Sequence, residues 1–395
     1  MKTTETTRFA SALSESVDWQ QAVDEVCSQV RGPDDPPPDL VVMFFSSDHA
    51  EVAEQLAAEI HRRLQCDALL GTSAESVLGR GQEVEQQPAL SLWAGWLPGA
   101  SLLPMKLDFE RTPEGGVILG WPDDLPQDWQ DPAALLVLAD PFSFPMELLL
   151  ERFNADQPGM PICGGMASGC SVPGESRLVL AGDCMSEGAV AVRLGGELKI
   201  RTLVSQGCRP IGEHMVITQS EHNVVQQLRG ESAMLRLKEV FDRLPANDQE
   251  RVQQGLFLGR VVSEYQDDFE QGDFLIRNVI GMDPEQGTIT VADYMRAGQT
   301  VQFHIRDQET ASAELVQLLS SLQADDSFQP AGGLLFTCNG RGSRLFDTPH
   351  HDATMVQQHL ADIPLAGFFA QGEIGPIGGE NFLHGFTASV ILFGS

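Results

Sequence analysis

Lysine is nearly missing from this chain. Only Lys2, Lys106, Lys199 and Lys238 occur in 395 residues, and 25 Lys and Arg face 56 Asp and Glu, for a formal net charge of -31. Phosphate backbones and anionic membranes are bound through an excess of basic side chains, so a general nucleic-acid or membrane-surface role is excluded. Two explanations of the deficit stand side by side: an acidic surface that stays soluble at high ionic strength, and a GC-rich genome that encodes Arg in place of Lys. Long apolar runs are missing as well. No stretch of 18 apolar residues occurs, and the N-terminal MKTTETTRFASALSE lacks the apolar core of a secretory signal, so a soluble cytoplasmic protein is expected. The seven cysteines (27, 66, 163, 170, 184, 208, 338) form no CxxC pair and are odd in number. They read as reduced, buried apolar fillers, with no metal site. GxSxG, GxxxxGK[ST] and HExxH are absent, as is GxGxxG between a strand and a helix, so no cofactor is expected.

What the chain does contain is a recurring unit. An apolar strand ends at a polar turn, a helical segment follows, and a second strand runs into glycine. LVVMFF (40–45) leads to ALLGTSAES, ALLVLAD (134–140) to PICGGMASG, and GGLLFTCNGRG (332–342) to LAGFFAQGE. Strand start and first glycine are similarly spaced each time: Val41 to Gly71, Leu135 to Gly164, Leu334 to Gly367. Each unit is a βαβ segment whose strands lie parallel in one sheet. A further strand follows each glycine cluster (89–97, 188–196, 386–394), so the glycine turns of related units are expected to line a common cleft. In the first unit Val52, Leu56 and Ile60 mark a helical face, with a capping box from Asp48 and Glu51. Ahead of it lie an amphipathic helix carrying Trp19, Val23, Val26 and Val30, and a proline-rich loop, RGPDDPPPDL. Residues 205–231 read as a polar connection, and GLFLGRVV, FLIRNVI, GTITVAD and TVQFHI between 255 and 305 read as an antiparallel meander.

Candidate chemistry concentrates near the C-terminus. LAGFFAQGEIGPIGGENFLHGFTA (365–388) surrounds Glu373, Asn381 and His384 with glycine, whose freed amides bind carboxylates or phosphates. The alternative is a broad turn in which these side chains satisfy backbone groups. In CNGRGSRLF (338–346), Arg341 and Arg344 emerge at a strand's C-terminal end, where open α/β sheets place ligands, and a guanidinium there clamps a carboxylate or pairs with a surface acid such as Asp347. Cys338 beside those cations is either an activated thiol, with His384 or His350 as base, or a buried filler. Ser73 and Ser168 sit in the glycine turns of the first two units. His350 and His351 have no third ligand at metal-binding spacing.

GFFAQGEIGPIGGENFLHGFTASVILF, with CNGRGSRLF and FLIRNVIGMD upstream, closely resembles the C-terminal half of FIST domain proteins, and LLGTSAESVLG, PICGGMASG and SQGCRPIG resemble the N-terminal half. The resemblance covers nearly the whole chain. It implies an α/β fold of repeated β-α-β-β units forming mixed sheets with flanking helices, in two related domains, 1–230 with two βαβ units and 231–395 with the meander and the third. It also implies a sensory module that binds a small ligand such as an amino acid or a related anionic metabolite and signals through a separate protein partner. Family relatives are fused to signalling domains in bacteria and to an F-box in eukaryotic ubiquitin-ligase adaptors. The ligand-binding residues expected are Cys338, Asn339, Arg341, Arg344, Glu373, Asn381, His384, Ser73 and Ser168, with Arg341 on a carboxylate and Glu373 on an ammonium. The resemblance supplies no catalytic residues. A Cys- or Ser-dependent hydrolase or amidase and a protein-binding adaptor are the alternatives.

Overall fold

Three apolar runs, each too continuous for a sheet with one wet face, form the first strands of three βαβ units. They are Leu40–Ser46, Ala134–Ala139 and Pro330–Cys338, and each is wholly or almost wholly buried. The computed structural model describes residues 6–113, 115–121, 134–265, 269 and 272–394. The protein is mixed α/β, and it divides into two compact units, Met1–Val204 with Val316–Ser395, and Ser205–Leu315. All three βαβ segments lie in the first.

Each first strand pairs in parallel with a second across a helix: Leu40–Ser46 with Ala68–Ala74, Ala134–Ala139 with Ile162–Met166, and Pro330–Cys338 with Leu365–Ala370. The crossover helices are Ala53–Leu64, Met146–Asp156 and His351–His359. Ala53–Leu64 buries Leu56, Ala57 and Ile60, as the spacing predicts. No capping box forms there, because residues Ser47–Val52 take a 3-10 turn and the α-helix begins only at Ala53 without a side-chain cap. The preceding helix Trp19–Val30 does have one: Asp18 accepts from the amides of Gln20 and Gln21. Alternate side chains divide the two faces. Leu40, Val42 and Phe44 join Leu136, Leu138, Leu334 and Phe336 in one core shared by the three sheets, while Val41, Met43 and Phe45 pack toward the helices. Phe44 stacks on Phe368 at a centroid distance of 5.1 Å, and Phe336 meets Phe368 edge-on at 5.8 Å.

Each unit then sends out a hairpin that pairs with another unit's sheet. Ser76–Gly79 of the first lies antiparallel against Leu365–Ala370 of the third, Glu373–Ile377 of the third against Ile162–Met166 of the second, and Leu178–Leu180 of the second against Ala68–Ala74 of the first. The exchange closes a cycle. After its hairpin each chain segment returns to the far side of its own first strand, as Leu90–Trp96, Ala189–Gly196 and Ala388–Gly394.

The compact unit Ser205–Leu315 is an antiparallel barrel. Cys208–Glu221 pairs with Thr300–Arg306 along its first part and with Val224–Leu228 along its second, so the order Cys208–Glu221, Thr300–Arg306, Leu256–Val261, Phe274–Asp283, Thr288–Val291, Val224–Leu228 returns to its start. The polar connection expected at 205–231 is therefore two strands, and the meander is part of a closed ring. Alternation carries the assignment, since Met215 and Ile217 are buried between exposed neighbours. Among the described residues no helix is long and apolar enough to cross a membrane.

The three spaced glycines occupy one structural position. Gly71 lies opposite Met43, Gly164 opposite Val137 and Gly367 opposite Leu335. A Cβ on Gly164 would come within 1.7 Å of the Val137 carbonyl oxygen, and one on Gly367 within 1.8 Å of that of Leu335. Backbone cannot yield as a side-chain tip does, so we expect Gly164→Ala and Gly367→Ala each to cost about 3 kcal/mol in denaturant unfolding of the full chain. Gly385→Ala, where a Cβ meets open space, should cost less than about 0.5 kcal/mol.

Candidate functional site at the converging strand ends

The exchanged hairpins draw the C-terminal ends of the three second strands together. Ser168 donates its amide to the Ser73 carbonyl at 3.3 Å and its hydroxyl to the Phe369 carbonyl, and its Oγ accepts from the Glu75 amide at 2.9 Å. Met166 donates to the Gly372 carbonyl at 2.8 Å, and Gln371 to the Met166 carbonyl at 3.2 Å. Cys338 sits opposite Ala370, and the Asn339 amide donates to the Ala370 carbonyl at 3.0 Å. Ser73, Ser168, Cys338, Asn339 and Glu373 thus gather at one place, outside the carboxyl ends of parallel strands, where α/β sheets bind ligands.

Several residues expected to face a ligand instead fasten the hairpins. Arg341 is fully buried and forms a bidentate pair with Asp352, Nε to Oδ2 at 2.6 Å and Nη2 to Oδ1 at 2.8 Å, so its fork is not available as an anion clamp. Asn381 is 1% exposed: its Oδ1 accepts from the Ile162 amide at 2.7 Å, and its Nδ2 donates to Asn154 Oδ1 and the Met160 carbonyl, tying the third unit's hairpin to the second unit. His384 donates from Nε2 to the Gly375 carbonyl at 2.8 Å across the same hairpin. Ser73 Oγ accepts from the Arg177 amide at 3.0 Å, next to the second unit's hairpin. Arg344 is exposed, donating to the Asn339 carbonyl at 2.8 Å and pairing with Glu75.

Two buried side-chain oxygens at the site, Glu373 Oε1 and Asn339 Oδ1, have no hydrogen-bond partner apart from the contact of the Glu373 carboxyl with the Cys338 thiol. The other Glu373 oxygen accepts from the Thr387 amide at 3.0 Å and from its hydroxyl at 2.9 Å. Burial pushes the Glu373 carboxyl up to about 8, against the pull of the Thr387 bonds. The neighbouring Cys338 thiol is pushed up by its own burial and then by the Glu373 charge, while its Sγ accepts from the Gly340 amide at 3.4 Å. The cation expected to activate it is turned away, toward Asp352. Cys338 is thus a protonated thiol, the opposite of a nucleophile's condition.

Behind Arg341 lies a second buried carboxyl. Glu83, on the first unit's hairpin, accepts from the Ala353 amide at 2.9 Å through Oε1, and Oε2 has no partner. Burial and the nearby Asp352 charge raise Glu83. For Asp352 burial acts in the same direction, yet the Arg341 guanidinium and the His351 ring hold it well below the usual carboxylate range. Sequence reading missed Glu83, Asp352 and Thr387. Asp352 follows Arg341 by eleven residues and a loop, and Glu83 lies in a short polar strand with nothing to mark it.

Removing one partner of the buried pair leaves the other charged and unsolvated. Asp352→Asn should therefore cost about 3–5 kcal/mol in unfolding measurements, and Arg341→Met with Asp352→Leu should cost less than the single change. Glu373 gives a pH signature. Its carboxyl holds a proton up to about 8 when folded and only to 4.5 when exposed, so the folded chain binds more protons between those values. Its contribution is complete below pH 4.5 and is lost as pH rises to about 8; Glu373→Gln should flatten this fall in thermal midpoint across the window.

The family model of the FIST N domain matches residues 39–231, and that of the FIST C domain matches residues 233–376. Uncharacterized protein Rv0628c of Mycobacterium tuberculosis is 41% identical over 357 residues, 90% of this chain and 91% of its own length. Uncharacterized protein Mb0898c of Mycobacterium bovis is 37% identical over 388 residues, 98% of each chain. FIST domains are associated with sensory roles in signal transduction. With both halves matched and relatives aligned along nearly its full length, this chain belongs to the FIST family.

Proposed function

We propose that the protein is an intracellular sensor that binds a small ligand at the converging strand ends, an amino acid or a related anionic metabolite, and signals through a protein partner. The observation that carries this reading is the pair of buried side-chain oxygens beside Cys338, Glu373 Oε1 and Asn339 Oδ1, which find no protein partner other than the Cys338 thiol next to Glu373. A buried polar oxygen without a partner costs free energy, and a ligand N–H relieves Asn339 Oδ1 directly and Glu373 Oε1 once its proton has left. An ammonium group supplies several such donors. The exposed Arg344 then exchanges its surface contact with Glu75 for the ligand carboxylate, the role expected of Arg341, whose guanidinium is held by Asp352 in the buried interior.

Of the alternatives, a Cys-dependent hydrolase is disfavoured by the raised Cys338 thiol, while the adaptor reading has no particular observation behind it. A ligand ammonium demands an ionised Glu373, so binding expels the proton that the free protein carries below pH 8 or so. Affinity for an amino acid found by thermal-shift screening should therefore rise about tenfold per pH unit up to that point and then level off. Glu373→Gln and Arg344→Ala should each weaken binding by about tenfold or more. A screen in which no amino acid stabilises the protein, or affinity independent of pH and of both substitutions, would overturn the reading.

A further inference from the structure

The barrel unit contains a second place suited to an anion. A cleft of about 460 Å³ opens between the helix Ala233–Phe241 and the strand Cys208–Glu221, with Arg229, Arg236 and Arg243 in its lining against Glu213 and Glu239. Over the whole chain acids outnumber bases 56 to 25, and here the balance is reversed. The cleft arises from an irregularity in the strand. Its register with Thr300–Arg306 shifts between Ile211 and Met215, and Gly212, at a φ of +67°, lets the helix come so close that a Cβ there would lie 2.7 Å from Val240 Cγ2.

The three guanidiniums are not equally engaged. Arg229 spends Nη1 on Glu213 at 3.0 Å and Nη2 on the His214 carbonyl. Arg236 spends Nη1 on Glu239 at 2.8 Å and Nε on the Leu228 carbonyl at 3.4 Å. The side chain of Arg243 has no hydrogen-bond or ion-pair partner among the described residues, and it is exposed at the mouth of the cleft. Met215, Val240 and Leu244 supply an apolar wall beside these groups. The volume falls in the range of small-molecule sites, roughly 300–1,000 Å³, and so does the combination of an apolar wall with a few convergent polar groups.

We propose that this cleft binds a small organic carboxylate with a short aliphatic body. The Arg243 fork takes the two carboxylate oxygens in parallel, the free Nη2 of Arg236 adds a further donor, and the aliphatic part lies on Met215 and Leu244. Planar bidentate recognition favours a carboxylate, and the apolar wall gives inorganic phosphate nothing to match. The site is separate from the strand ends and does not depend on Arg344.

Saturation-transfer NMR on the full chain tests this with butyrate as the probe, and with inorganic phosphate and chloride as competitors at matched ionic strength. Saturable transfer to the butyrate methylene and methyl protons is expected, with affinity reduced about tenfold or more in Arg243→Glu and unchanged in Arg152→Ala, an exposed arginine outside both sites. Arg243 is exposed and unpaired, so the variant should retain its circular dichroism; Arg243→Gln, expected to weaken binding in the same direction, serves as the second variant. Absent saturable transfer, affinity in both Arg243 variants equal to that of the unaltered protein, or displacement by chloride at equal ionic strength would each overturn the proposal.

Discussion

Every β-sheet that ends in an open strand presents unpaired backbone donors and acceptors, and in the larger unit those edges are covered by exchange. Ala68–Ala74, Ile162–Met166 and Leu365–Ala370 would each be such an edge if its βαβ segment stood alone. Each instead pairs with a hairpin from another segment, and because three hairpins serve three edges in a cycle, removing any one segment exposes two faults. One edge is uncovered and one hairpin loses its seat. The three segments are consequently one cooperative body, although the third is separated from the second by the whole barrel in sequence.

The glycines follow from the same constraint. The second strand of each unit must run close to its parallel partner and then turn out toward a neighbouring sheet, and Gly71, Gly164 and Gly367 stand where the partner strand's carbonyl leaves little or no room for a Cβ. Polar side chains at the crossings complete the joints. Asn381 holds the third hairpin against the second unit, Glu83 and Glu85 hold the first hairpin against the third, and Ser73 bonds to the backbone beside the second hairpin. Residues that look like ligand groups in a linear reading are in these cases structural, because a strand exchange needs directional hydrogen bonds as much as a binding site does.

This explains which parts of the molecule were legible beforehand. The apolar runs, the crossover helices and the equal spacing of the three glycines are local or periodic features, so the repeat is visible in the chain. The strand Cys208–Glu221 alternates buried and exposed residues, but Glu213, His214 and Gln219 make it read as a polar linker. The hairpin exchange has no local signature: SVLG, LVL and EIGPI fall between the glycine clusters and the strands expected at 89–97, 188–196 and 386–394, and nothing in them names the partner. The fate of Arg341 was hidden for the same reason. Its partner lies in a helix beyond a loop, and only the folded chain brings Asp352 to both arms of the guanidinium.

Burying Arg341 has a consequence for the site. With that charge tied to Asp352, the pull of Arg341 on Glu373 is outweighed by burial, and the carboxyl keeps its proton. The same carboxyl ionised would raise the neighbouring thiol further and repel an anionic ligand group. Neutral, it is quiet, and the strand ends hold a thiol, an amide oxygen and a carboxylic acid without net charge. An incoming cation reverses this state by drawing the proton off. The buried ion pair and the proton on Glu373 are therefore two parts of one arrangement: the first commits the Arg341 guanidinium to Asp352, and under the proposed function the second would leave a negative charge to develop only when a positive ligand group arrives to meet it.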